Sequence, residues 1–125
     1  MVNVKVYNSS NNALPEYETV GSAGMDVRAA IDTPITIASG KSAIIPTGLY
    51  VEIPVGYEIQ VRSRSGLAAK KQVFVSNAPG TVDSDYRNQI GVILMNLGTE
   101  GFVVEPGDRI DRDRKSGSAG MPRPI

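Results

Sequence analysis

LYVEIPVGYEIQVR, residues 49–62, decides the fold. Leu49, Val51, Ile53, Val55, Tyr57, Ile59 and Val61 share one parity, while Glu52, Glu58, Gln60 and Arg62 hold the other. A period of two puts successive side chains on opposite faces of an extended strand, so one face is apolar and the other wet. Gly56 follows Pro54 in the middle of the run, and the pair predicts a turn that folds it into a hairpin.

Short apolar runs recur on both sides of this stretch. Val2, Val4 and Val6 alternate with Asn3, Lys5 and Tyr7 as a first strand; Ile35 with Ile37 and Ala43 to Ile45 give two more. Val73–Val75 and Ile90–Leu97 are denser, a pattern predicting strands buried on both faces. Phe102–Val104 is the last strand expected. The 13 Gly and 8 Pro punctuate these runs, as in an all-β sandwich or barrel. Only Gly66–Gln72, with LAAKK inside it, has helical character, for about two turns. From Gly107 the chain becomes GDRIDRDRKSGSAGMPRPI, with alternating charges followed by small residues and prolines. The expected organisation is one β-domain over residues 1–110 and a charged, Gly/Pro-containing tail over 111–125.

Composition narrows the chemistry. The chain has 125 residues, the size of one small domain. Its 13 Lys plus Arg balance 13 Asp plus Glu, so no global field favours nucleic acid or an anionic membrane, and neither is expected as a partner. Cysteine and histidine are both absent. Disulfides, thiolate nucleophiles, Cys-ligated zinc and imidazole bases are therefore excluded. Catalysis would rest on carboxylates, hydroxyls, arginines and a hard, oxygen-liking cation. The opening MVNVKVYNSS lacks the pattern of a signal peptide, and no run approaches membrane length, so the cytoplasm is the expected location.

Three stretches concentrate polar groups. In SAGMDVRA, Ser22–Ala29, a glycine before Met25-Asp26 allows Asp26 to project into a site, or Asp26 is a turn residue. In RSRSGLA, Arg62–Ala68, two arginines and two serines precede a glycine and the short helix. Hydroxyls, guanidinium forks and first-turn amides would cradle an anion; the competing reading is a helix start capped by Ser65. It lacks the lysine of a P-loop. In GTVDSDYRN, Gly80–Asn88, Asp83 and Asp85 are two apart and share a face if extended. A carboxylate there could orient or deprotonate water, and Tyr86 offers a flat apolar surface. An Asx-type turn is the alternative. Asn77, slightly upstream, both donates and accepts, as recognition of a base edge requires.

Taken in order, LPEYETVGSAGMDVRA, RSRSGLA, NAPGTVDSDYRNQIGVILMN and EPGDRI resemble four motifs of the trimeric deoxyuridine triphosphatases, the dUTPases. The resemblance runs from Leu14 to Ile110. It implies a distorted jelly-roll β-barrel with one short helix, assembled as a homotrimer with sites at subunit interfaces. It further implies hydrolysis of dUTP to dUMP and pyrophosphate by water attacking the α-phosphorus, which limits uracil in DNA. Asp26 would hold Mg²⁺ through water, a mode suited to a hard ion that keeps its hydration. Arg64, Ser65 and Gly66 would bind phosphate oxygens. Asn77 and the hairpin backbone from Gly80 through Val82 to Asp83 would read uracil and exclude a 5-methyl group. Tyr86 would stack on the deoxyribose, and Asp83 would activate the water. Asp85 and Arg87 are expected to be structural, as an ion pair.

The chain departs from that family pattern after GDRI. Arg112 stands where a glutamine is usual, the strand expected to follow is absent, and no aromatic residue follows Phe102. SGSAG, Ser116–Gly120, echoes the family's Gly-rich arm without its phenylalanine. Ser63 stands where proline is common. These departures imply a slower enzyme with an exposed sheet edge, or a catalytically impaired member of the fold that binds nucleotide or a protein. The related dCTP deaminases share the fold, but the tyrosine-bearing hairpin is of the uracil-specific kind.

Overall fold

Short, alternating apolar segments pair into sheets because each buries one face only against another sheet. In the computed structural model, which describes residues 3–15, 24–77 and 80–117 (backbone only at 65 and 111–117), eleven strands and one helix occur. The strands are β1 (Lys5–Asn8), β2 (Met25–Arg28), β3 (Ile35–Ile37), β4 (Ser42–Pro46), β5 (Leu49–Glu52) and β6 (Tyr57–Arg62). After α1 (Ser65–Lys71) come β7 (Val73–Val75), β8 (Gly80–Val82), β9 (Gly91–Asn96), β10 (Phe102–Val104) and β11 (Arg109–Gly117). They form four antiparallel sheets, ordered β1-β5, β10-β3, β2-β11-β6-β8 and β4-β9-β7. Among the described residues the ladders do not close into one continuous barrel.

The core is branched aliphatic, built from Val4, Val27, Ile37, Ile45, Val73, Val92, Leu94, Val104 and Ile110 among others. Two buried polar groups are satisfied. Asn96 donates to the carbonyls of Ile37 and Glu100 and accepts from the Gly98 amide. The Thr47 hydroxyl donates to the Ile90 carbonyl and accepts from the Leu49 amide.

The parity of residues 49–62 is kept: Leu49, Val51, Ile53, Ile59 and Val61 are buried. The expected hairpin is not. Pro54–Gly56 does turn the chain, with Gly56 at φ 92° and the Tyr57 amide donating to the Pro54 carbonyl. However, β5 pairs with β1, while β6 pairs with β11 and β8. The turn is a corner between sheets, and Val55 at its tip is 91% exposed. The chain crosses here from one sheet to another, and the inward parity of both halves survives that crossing.

Other expectations need correction. The first strand starts at Lys5, and Val2 lies outside the described residues. Within the single chain β7 and β9 bury one face: Val73, Val75, Val92 and Leu94 are buried, whereas Phe74, Ile93 and Met95 are half-buried. The strand expected to be absent after Ile110 is present. β11 runs from Arg109 to Gly117 between β2 and β6, so the edge expected to be exposed there is paired. Ladder hydrogen bonds join backbone groups, and a charged sequence can therefore fill a slot whose two walls offer unpaired N–H and C=O groups. Most of SGSAG, beyond Gly117, lies outside the described residues.

Candidate active site

Asp26 is carried by β2, whose Met25 and Val27 are buried and fix its register. It is thus a strand residue, not a turn residue. Its side chain is 9% exposed and sits between two guanidinium groups: Arg64 Nε lies 3.5 Å from Oδ1 and Arg109 Nη1 3.4 Å from Oδ2. Arg64 immediately precedes α1 in an extended conformation (φ −73°, ψ 129°). It, and not Ser65, is the N-cap residue, and its side chain makes no cap hydrogen bond. Ser63 anchors the segment, its hydroxyl accepting from the Val75 amide at 2.9 Å. A proline there could not accept that bond.

The third motif forms a second group. β7 and β9 pair with each other, and the long connection between them contributes β8 to the neighbouring sheet, beside β6. Asn77, Gly80, Thr81, Val82 and Tyr86 line a cavity of about 180 Å³ with Val61, Val75 and the start of β9. Tyr86 is 37% exposed, and its hydroxyl donates to the Gln89 carbonyl at 2.8 Å, which fixes the ring at the cavity rim. Asp83 follows β8 and is exposed; its carbonyl accepts the Tyr86 amide at 3.1 Å. That turn breaks the extended geometry in which Asp83 and Asp85 would share a face. No ion pair joins Asp85 to Arg87 among the described residues, because Arg87 donates instead to the carbonyls of Ser84 and Tyr86.

Within one chain the expected site residues fall into these two groups. Asp26, Arg64 and the helix start at Ser65-Gly66 form one; Asn77, Gly80, Val82, Asp83 and Tyr86 form the other. A further cavity of about 360 Å³ is lined by Asp26, Arg28, Leu49, Thr47, Arg109 and the loop Ser10–Pro15. Arg109 was missed by the sequence reading, and Ser63 was read only as a departure from the family pattern, not as an anchor. Arg109 sits inside EPGDRI, so its position in a motif was the available signal.

The fold is an all-β domain that carries a carboxylate–guanidinium cluster and a small cavity rimmed by a tyrosine. The dUTPase family model matches residues 10–112. A deoxyuridine 5'-triphosphate nucleotidohydrolase of Chlamydia trachomatis is 63% identical over 101 residues, which is 81% of this chain and 70% of the relative. That of Fusobacterium nucleatum is 56% identical over 109 residues, 87% of this chain and 75% of the relative. Among solved structures, the dUTPase of Streptococcus mutans superposes with a TM-score of 0.80 at 25% identity, covering 92% of this chain and 94% of its own. A mutant dUTPase from phage phi11 of S. aureus, described with a structural Mg(II) ion, gives 0.82 at 20% identity over 96% and 93% of the two chains. The chain belongs to the dUTPase family.

Proposed function

We propose that the protein is a deoxyuridine 5'-triphosphate nucleotidohydrolase, as its bacterial relatives are named, that it converts dUTP to dUMP and pyrophosphate, and that it so limits uracil in DNA. The observation carrying this reading is the cavity beside β8, where a carboxamide, strand backbone and a tethered tyrosine meet with a carboxylate at the strand's end. Asn77 and the backbone of β8 would hold the uracil edge. The space between Gly80, Val82 and the β9 wall is small, and a 5-methyl group forced into it would meet an overpacking penalty of about 1–3 kcal/mol. Tyr86 would stack on the deoxyribose. Asp83 would orient a water and take its proton as the water's oxygen bonds to the α-phosphorus and the bond to the pyrophosphate leaving group breaks. Arg64, with the amides of Ser65 and Gly66, would bind phosphate oxygens and stabilise charge as it shifts to the leaving group.

Asp26 suits a hydrated Mg²⁺ that arrives with the triphosphate. It is a single hard oxygen donor, and among the described residues no cluster of three or more His, Cys, Asp or Glu could hold a metal by itself. When bound, Mg²⁺ would neutralise phosphate charge, with Asp26 holding it through water.

A homotrimer fits two features. The outward face of the β4-β9-β7 sheet aligns Ile44, 69% exposed, with Ile93, and Phe74 with Met95, giving an apolar surface for another copy. Asp26 and Asn77 also line different cavities of one chain, as sites assembled from neighbouring copies would have them. A cytoplasmic location completes the reading; among the described residues no helix is long and apolar enough to cross a membrane.

The test is pyrophosphate release from dUTP with Mg²⁺, beside dTTP, UTP and dCTP, for the wild type and Asp83→Asn. Turnover of dUTP alone, lost in the variant, is expected. Ammonia release from dCTP, or nucleotide binding without turnover, would overturn the reading.

A further inference from the structure

We propose that Ser63 is a positioning residue: its bond to the Val75 amide sets where Arg64 stands to receive the substrate's phosphates. The inference rests on the dUTP reading and deepens it.

The bond is one the fold has reason to keep. β7 lies at the edge of the β4-β9-β7 sheet. The Ser76 amide donates to the Ile93 carbonyl at 2.7 Å, and successive amides of a strand point to opposite edges, so the Val75 amide faces away from β9. Val75 is 3% exposed. An amide so covered is costly to leave unpaired, and the Ser63 hydroxyl, 12 positions back, accepts it at 2.9 Å. The two ends of this bond differ in how they are held. β7 pairs with β9 at Val73–Asn96, Phe74–Met95 and Val75–Leu94, and Val73 and Val75 are in the core. Ser63 and Arg64 form the connection between β6 and α1, outside every ladder among the described residues. The strand is therefore the fixed end, and the connection is the end that the bond places.

Arg64 is the residue such a placement serves. It is extended, and the chain turns helical at the next residue. Its carbonyl accepts the Ala68 amide at 3.0 Å, which ties it to its own helix, and its Nε meets Asp26 Oδ1, which ties it to β2. Ser63 adds the tie to β7, the strand that lines the Asn77 cavity through Val75. Beyond the helix the Leu97 amide donates to the Gln72 carbonyl at 2.9 Å. The segment carrying Arg64 is thus moored to the β4-β9-β7 sheet before α1 and, just past β9, after it. A guanidinium sits at the end of a long stem, so a small backbone rotation beside its Cα sweeps the fork through a wide arc. The fork meets phosphate oxygens in a fixed geometry, and a misplacement of about 1 Å can cost up to about 10²-fold.

Calorimetric titration of α,β-imido-dUTP with Mg²⁺, beside NMR titration of deoxyuridine, which has no phosphate, tests this. The proteins are the wild type, Ser63→Ala, Ser63→Thr, Arg64→Met, the Ser63→Ala/Arg64→Met pair and the core variant Ile37→Val. Ser63→Ala should weaken the triphosphate analogue about fivefold and deoxyuridine less than about twofold, because β7 keeps its ladder. Ser63→Thr keeps the hydroxyl and should return the analogue's affinity to within about twofold of the wild type. In the Arg64→Met background, Ser63→Ala should add under about twofold, because the group it places is gone. Ile37 lines neither cavity of the site, so Ile37→Val should lower the melting temperature without a selective loss of the analogue. Equal weakening of both ligands, a full effect without the Arg64 guanidinium, no return with threonine, or the same selective loss in Ile37→Val would overturn the proposal. A wild type that binds no analogue would instead overturn the dUTP reading beneath it.

Discussion

Gly80 lies against the side-chain amide of Asn77: a Cβ placed on Gly80 would stand 3.0 Å from Asn77 Nδ2. The strand that begins the cavity wall therefore has no side chain at the point where the amide crosses it. Gly80→Ala should push the Asn77 amide aside by a few tenths of an ångström. Gly80 is buried, so the crowding falls in the cavity lining, and KM for dUTP should rise about tenfold, equivalent to about 1.4 kcal/mol. Steady-state kinetics on dUTP check this; an unchanged KM would separate Asn77 from base recognition.

Asp83 is exposed at the end of β8. Its replacement by Asn should alter folding stability by no more than about 0.5 kcal/mol, as for other surface substitutions. Turnover should fall by about 10²–10⁴, the usual share of a general base, with nucleotide binding retained. Single-turnover kinetics beside a urea melt distinguish lost chemistry from lost structure.

Asn96 is buried and bonded to three backbone groups across the β9–β10 turn and β3. Asn96→Ala strands two carbonyls and an amide without those partners. Stability should drop by about 2–4 kcal/mol, several times the loss for an exposed amide. Denaturant unfolding measures it, and a loss below about 1 kcal/mol would mean that water replaces the amide.

Ile44 is 69% exposed on the outward face of the β4-β9-β7 sheet. Ile44→Asp should leave the single chain folded while dissolving the assembly, since a lone charge in an apolar interface is not compensated. Sedimentation of wild type and variant is the measurement. A wild type that sediments as a monomer would defeat the trimer proposal directly.

The fold brings together several of the residues that the sequence singled out one at a time. Asn77, Gly80, Val82 and Tyr86 come together around one cavity, and Asp26 meets Arg64 although 38 positions separate them (64 minus 26). What was not legible was pairing. Asp26 also meets Arg109, from a strand 83 positions away, and the sequence interval carries no sign of that meeting. Ser63 looked like a neutral departure until β7 brought the Val75 amide to its hydroxyl. Asp85 and Arg87 have complementary charges at short spacing, yet nearby carbonyls satisfy the guanidinium at 2.6 and 3.2 Å, as local backbone acceptors often do in turns.

The sequence by itself determined the β class, the inward parity of residues 49–53 and 57–62 and the place of the helix found among the described residues. These follow from period-two burial and from Gly and Pro breaking the chain, which are local properties. Only the tertiary structure decided which strand neighbours which. It made residues 49–62 a corner instead of a hairpin, and drew Arg109–Gly117 into the slot between β2 and β6. The physical reason is that ladder hydrogen bonds join backbones without regard to side-chain identity. Partners are therefore chosen by which unpaired edges the packed core brings together, and no single segment of sequence records that.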